Sequence, residues 1–198
     1  LLNRVEKPAI LRQLFVLACE HAAQQLSYQK ILGQLTGVGN TTTIAHYQRL
    51  LESAFLIRGL PHWSGNVVRR RNSSPKWLPL NTALISALSG SDYAECRSDA
   101  AAWGRLTESA VGAHLVNASA EGGFEVFYWR EGNAEVDFVL RKGKRVTALE
   151  VKSGRKIRAV PGLSAFAKRY PGAKKILVGA DITIEDFLST QPEVWIDG

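Results

Sequence analysis

Two cysteines, no methionine and no long apolar run set the first limits on this 198-residue chain. Cys19 and Cys96 are too few and too far apart for a disulfide framework or a cysteine metal site, so they read as reduced thiols, which suits the cytoplasm. No stretch approaches the roughly 18 apolar residues that cross a bilayer, and no membrane partner is expected. The start LLNRVEKPAILRQ has neither an initiator Met nor a signal-peptide layout, which leads us to expect a piece of a longer chain. His21, His46, His62 and His114 stand in no ligand spacing with each other or with the cysteines, which argues against zinc. No G-x-S-x-G elbow or Cys–His hydrolase signature is present. There is also no G-x-x-x-x-G-K-[ST]. The segment Gly37-Val38-Gly39-Asn40-Thr41-Thr42 lacks the Lys and follows a helix, so it reads as a turn with Thr41 or Thr42 capping the next helix. We expect no ATP site in these residues.

What remains is an ordinary globular composition, 45% apolar and 22% charged, enough for one domain or two small ones. The net charge of +7 is concentrated in two places. One is VVRRRNSSPK, with Arg69, Arg70, Arg71 and Lys76; the other is RKGKRVTALEVKSGRKIR, with eight basic residues against the single Glu150. Both would attract a polyanion such as nucleic acid, and each also reads as a solvated turn.

Along the chain, PAILRQLFVLACEHAAQQ is an amphipathic helix opened by Pro8. Ser27 caps a short second helix, and TTTIAHYQRLLESAF forms a third with Ile44, Tyr47, Leu50 and Leu51 on one face. The strand FLIRGL, a basic tip, the return strand KWLPL and the helix NTALISALSG follow. Three helices and a hairpin make the plan of a winged helix, with Thr42, His46 and Arg49 exposed on the third helix and RRRNSSPK as the wing tip. A helical module that binds protein fits the same pattern. Residues 91–102 are polar and irregular, and we place a boundary there, dividing the chain into 1–90 and 91–198. The second part reads as helix (Trp103–Ser119), strands FEVFYWR, AEVDFVL and RVTALEVK, helix LSAFAKRY, strand KKILVGA, helix IEDFLST and a final strand EVWI. The predicted class is α/β (α+β), a mixed sheet flanked by helices.

The chemistry lies in EVDFVLRKGKRVTALEVKSG. Alternation puts Glu135 and Asp137 on one face, opposite Val136 and Phe138, and puts Glu150 with Lys152 opposite Leu149 and Val151. Pairing of the two strands lets Asp137 and Glu150 converge on one divalent cation, Mg²⁺ or Mn²⁺, with Lys152 orienting water or stabilising developing charge. Arg130, at the end of YWR, is placed to contact a phosphate. The plainer reading is a same-face ion pair with no catalytic role.

This arrangement resembles the PD-(D/E)XK nuclease superfamily. Asp137 takes the first acidic position, Glu150-Val151-Lys152 forms the (D/E)XK element, and Glu108 in GRLTESAVGAHL matches the helix carboxylate that many members add. Val136 stands where Pro often precedes the acid. Over nearly the whole chain, YQKILGQLTGVGNTTTIAHYQRLLESAFLIRGL, SPKWLPLNTAL, WGRLTESAVGAHL, FYWREGNAEVDFVL and ALEVKSG resemble, in order, the C-terminal region of a bacterial and archaeal family of AAA-type ATPases. That resemblance implies a P-loop ATPase domain upstream, then a winged helix, then a nuclease-like domain. Asn81 departs from the Asp usual at its position. The expected function is nucleic-acid binding with a metal-dependent nuclease-like site: Asp137 and Glu150 as ligands, Lys152 and Glu108 beside them. Arg69, Arg70, Arg71, Lys76, Arg130, Lys142, Lys144, Arg155 and Lys156 would serve the phosphates. The competing expectations are a non-catalytic regulatory tail of an ATPase and a DNA-binding regulator without cleavage.

Overall fold

Proline at the first helical position opens α1 (Pro8–Glu20), whose Ile10, Leu14, Leu17 and Ala18 turn inward at three- and four-residue spacing. The computed structural model describes residues 7–65, 73–154 and 160–197. After the two-residue β1 (Gln24–Gln25), the Ser27 hydroxyl accepts the Lys30 N–H at 3.3 Å and starts α2 (Tyr28–Leu32). Asn40, rather than Thr41 or Thr42, caps α3 (Thr41–Ser53). Its Oδ1 takes the Thr43 N–H at 2.9 Å, a bond that its extended backbone allows one residue earlier than expected. Ile44, Tyr47 and Leu51 are buried, and Thr42, His46 and Arg49 are exposed. β2 (Ile57–Leu60) and β3 (Lys76–Pro79) pair antiparallel, and β1 adds to the other edge of β3, giving the order β1-β3-β2. The expected wing arginines, Arg69, Arg70 and Arg71, lie outside the described residues.

α4 (Thr82–Ser89) begins where Asn81 Oδ1 accepts the Ala83 N–H at 2.9 Å. An Asp would cap equally well, so the Asn81 departure leaves this turn intact. It ends at Gly90, whose φ of 70° suits glycine. The next stretch is not irregular: Asp92 and Glu95 form a reciprocal capping box that starts α5 (Tyr93–Ser98). That D-x-x-E spacing outweighs the polar composition from which a loop was expected. α6 (Ala100–Gly122) runs from its Asp99 cap to Gly123. β4 (Glu125–Glu131), β5 (Ala134–Lys142) and β6 (Arg145–Val151) form an antiparallel meander. α7 (Pro161–Arg169) crosses over to β7 (Lys174–Val178), which pairs parallel to β6, so the order is β4-β5-β6-β7. α8 (Ile184–Ser189) follows, and EVWI, expected as a strand, forms α9 (Glu193–Asp197). Its first turn closes on the Gln191 and Pro192 carbonyls, and Trp195 stacks on Phe187 with ring centroids 6.0 Å apart. A four-residue apolar run carries no period of its own, and packing decided it. The molecule is a mixed α+β protein, with two sheets among the described residues. Among the described residues no helix is long and apolar enough to cross a membrane.

α6 covers one face of the second sheet, packing Val111 and Leu115 against Val126, Phe138, Leu140, Leu149 and Val151. α7 covers the other with Leu163 and Phe166 against Trp129, Val136, Val139 and Ala148. A third cluster gathers the N-terminal helices around Trp77. Leu60, Leu78 and Leu80 belong to the core beneath α6, so residues on both sides of position 91 share apolar packing. The segment after β2 also bonds to β4: the Trp63 N–H donates to the Tyr128 carbonyl at 2.7 Å and the Tyr128 N–H to that of Pro61 at 3.1 Å.

Gly112 sets how closely α6 approaches this sheet. A Cβ there would lie 2.7 Å from the Phe138 ring and 2.9 Å from Leu78. Gly112→Ala is predicted to lose stability, because overpacking costs about 1–3 kcal/mol against at most about 1 kcal/mol of helix propensity. Gly104→Ala in the same helix, whose Cβ would meet only Ser153 Oγ at 3.8 Å, should raise the melting temperature. Thermal melts of both variants check the pair; equal gains would contradict the close approach.

Candidate functional site

β5 does not keep a plain alternation. Between the pairs Phe127↔Val139 and Trp129↔Val136 the register shifts, so Asp137 and Phe138 together face the single Tyr128. This bulge sends Val136 beneath α7 and Phe138 beneath α6, correcting the expectation that the two share a face. It also puts Asp137 where the ladder with β6 stops. The last pair is Phe138↔Leu149, and Asp137 and Glu150 are next in line. There Asp137 Oδ2 accepts the Val151 N–H at 2.8 Å, so a carboxylate takes the place of a strand carbonyl.

Glu150 is buried at 8% exposure, although it leaves the hairpin in the company of Lys152. Its Oε1 accepts from Lys152 Nζ at 2.6 Å, while Oε2 is buried with no partner among the described residues. The Lys152 N–H donates to the Val178 carbonyl at 2.9 Å. Gly179, at φ 92°, packs so tightly that a Cβ would sit 1.9 Å from the Lys152 carbonyl oxygen. β7 therefore fixes the backbone that carries Lys152, whose side chain stays 40% exposed. From α6, Glu108 brings a third carboxylate to the same end of the sheet.

The sequence reading missed the centre of this cluster. Lys76, expected at an exposed wing, is fully buried at the start of β3. Trp77 turns into the N-terminal helical cluster, so alternation sends Lys76 with Leu78 towards α6 and β5. Its ammonium forms an ion pair with Glu108 Oε1, donates to the Asp137 carbonyl at 3.3 Å, and lies 3.6 Å from both Asp137 Oδ1 and Glu135 Oε1. Lys76 is thus spent on carboxylates and does not face a phosphate. The signal was present in KWLPL, where Lys76, Leu78 and Leu80 fall on one side.

Four carboxylates, Glu108, Glu135, Asp137 and Glu150, then face the ammonium groups of Lys76 and Lys152. Burial, with Asp137 beside it, pushes Glu108 up to about 8 against the pull of Lys76. Burial and Asp137 likewise push Glu150 up to about 7. Burial works against charge on Lys76, yet Glu108 and Asp137 outweigh it and hold the ammonium protonated. Lys152 is raised as well, its bond to Glu150 overcoming desolvation. Four carboxyl groups against two ammonium groups, with Glu150 Oε2 unpartnered among the described residues, offer oxygen ligands that a hard cation could claim in place of protons, so Asp137 and Glu150 fit Mg²⁺ or Mn²⁺. Among the described residues no three His, Cys, Asp or Glu side chains form a ready metal cage.

The basic residues are mostly elsewhere. Arg130 borders the site, with Nη1 4.0 Å from Glu135 Oε2. Lys142 pairs with Asp197 at 2.6 Å, and Lys144 is exposed in the β5–β6 turn. Five residues of strand set Lys142 about 17 Å from Asp137. Arg155 and Lys156 lie outside the described residues.

Residues 103–188 match a domain of unknown function, DUF4143, which is found in AAA-ATPase-associated proteins. Residues 1–95 match a second domain of unknown function, DUF8612. No curated protein and no solved structure matches the chain.

Carboxylates held above their ordinary range bind more protons folded than unfolded. The metal-free protein should therefore lose stability as pH rises from about 4.5 towards 8. Glu150→Gln should flatten that slope and raise the melting temperature at pH 8. Melting curves across pH for both proteins test this, and an unchanged slope would remove Glu150 as its source.

Proposed function

We propose that this chain joins a winged-helix module to a restriction-endonuclease-like domain whose Asp137, Glu150 and Lys152 form a metal-dependent site for phosphodiester hydrolysis in nucleic acid. The observation that carries this reading is the meeting of Asp137 and Glu150 at the end of the β5–β6 ladder, with Glu150 Oε2 buried and unpartnered among the described residues. The order α1-β1-α2-α3-β2-β3 supports the first fold reading, and α6-β4-β5-β6-α7-β7 with β7 parallel to β6 supports the second. The DUF4143 match supports an association with AAA-type ATPases; on this reading the chain is the C-terminal region of one that acts in the cytoplasm, with its P-loop in another part of that protein.

Asp137 and Glu150 would hold Mg²⁺ or Mn²⁺, which when bound polarises the phosphate and acidifies a water. Lys152 keeps its proton, so it orients the attacking water and stabilises developing charge rather than accepting a proton. Val151 fixes the Asp137 carboxylate through its N–H. Arg130 contacts a phosphate at the rim. Lys142, Lys144 and the basic segments at 69–71 and 155–156 serve phosphates remote from the scissile one.

One observation favours a second reading, a non-catalytic regulatory tail. The buried Lys76 already neutralises part of the acid cluster, as a purely structural ion-pair set would require.

Calorimetric titration of the 198-residue chain with Mn²⁺, beside cleavage of labelled single- and double-stranded DNA and RNA, separates the two. Asp137→Ala and Glu150→Ala should lose the metal and the cleavage together. Lys152→Ala should keep the metal and lose about 10²–10³-fold in rate. A wild-type chain that binds no metal and cuts nothing would overturn the nuclease reading and make the regulatory tail the better one.

A further inference from the structure

We infer that Lys76 is the resident cation of the acid cluster: its ammonium holds the position between Glu108 and Asp137 that a second divalent ion would take, so the site admits one metal ion, at Asp137 and Glu150. The single-metal part rests on the proposed nuclease reading, whereas the role of Lys76 does not.

Lys76 is only 1% exposed, although it comes from the first sheet, on the far side of α4 and α5 in the chain. Among the described residues its polar contacts are oxygens: Glu108 Oε1, the Asp137 carbonyl, Asp137 Oδ1 and Glu135 Oε1. The Phe138 ring, 5.3 Å away, closes one side. An oxygen-lined cage around an ammonium is the environment that a hard metal ion would otherwise seek. Two-metal sites hold their ions about 3.5–4 Å apart across a shared carboxylate. Here Asp137 would be the shared carboxylate: its Oδ1 lies 3.6 Å from the ammonium that Glu108 also holds, and Glu150, whose Oε2 is buried without a partner among the described residues, is next in line across the strands. Lys76 is therefore a positioning residue. It orients Asp137 and Glu108, and because β3 carries it, the first sheet sets the metal stoichiometry of the second.

The test is Mn²⁺ calorimetry and thermal melting on the full chain, on Lys76→Met and Lys76→Arg, and on Lys76→Met combined with Glu108→Gln. Wild type and Lys76→Arg should bind one Mn²⁺ and Lys76→Met two, the extra site vanishing in the double variant. If Lys76→Met folds poorly, its melting temperature should climb with Mn²⁺ concentration, and the double variant should show no such rescue through that site. A Lys76→Met protein that folds and keeps wild-type stoichiometry, or an unfolded one that Mn²⁺ does not rescue, overturns the inference. A wild type that binds no metal, beside a Lys76→Met that gains a Glu108-dependent site, rejects the nuclease reading and leaves Lys76 as the resident cation.

Discussion

One buried ammonium organises this molecule. Lys76 leaves the first sheet and enters a cluster of carboxylates contributed by α6 and β5, where it is almost without solvent. Isolated charges pay heavily for such burial, and losing one partner of a buried pair typically costs about 3–5 kcal/mol. The two sheets are consequently tied by more than the apolar contacts of Leu60, Leu78 and Leu80 with the core beneath α6. Each depends on the other to neutralise a charge that it cannot leave in place alone.

Neutralisation is incomplete, and that is where chemistry becomes available. Glu150 reaches Lys152 with one oxygen and leaves the other unpartnered among the described residues. Glu108 and Glu150 are both pushed above the ordinary carboxylate range by burial and by Asp137. A site in this condition favours protons, and on the proposed reading it would take a hard cation. The apolar walls that make the carboxylates uncomfortable are the same walls that strengthen their grip on a positive partner.

Backbone geometry aims these groups. The bulge at Asp137 and Phe138 ends the β5–β6 ladder one residue before the acids and lets the Asp137 side chain bond to the Val151 N–H. Gly112 lets α6 lie close enough for Glu108 to reach, and Gly179 lets β7 press against the Lys152 carbonyl. Small residues and a register slip thereby place side chains that the strand pattern alone would scatter.

Most of the order of elements, the mixed class and the entry of Asp137 and Glu150 into apolar strands, with Lys152 just beyond, were legible in the sequence, because period-2 and period-3.6 patterns are local; β1, α5 and α9 were not read from it. Ser27 as a cap was equally legible, and so was the D-x-x-E box at Asp92, which its polar surroundings hid. Other features depended on partners distant in the chain. The bulge exists only in the pairing of β4 with β5, and α9 became a helix through Trp195 stacking on Phe187. Alternation in KWLPL already put Lys76 on the side of Leu78, but the sequence does not say what that side faces. By itself the sequence determined which charges would be drawn into the sheets. Only the packing of one sheet near the other decided that Lys76 would meet Glu108 and Asp137, because contacts across 32 and 61 residues leave no local period to read.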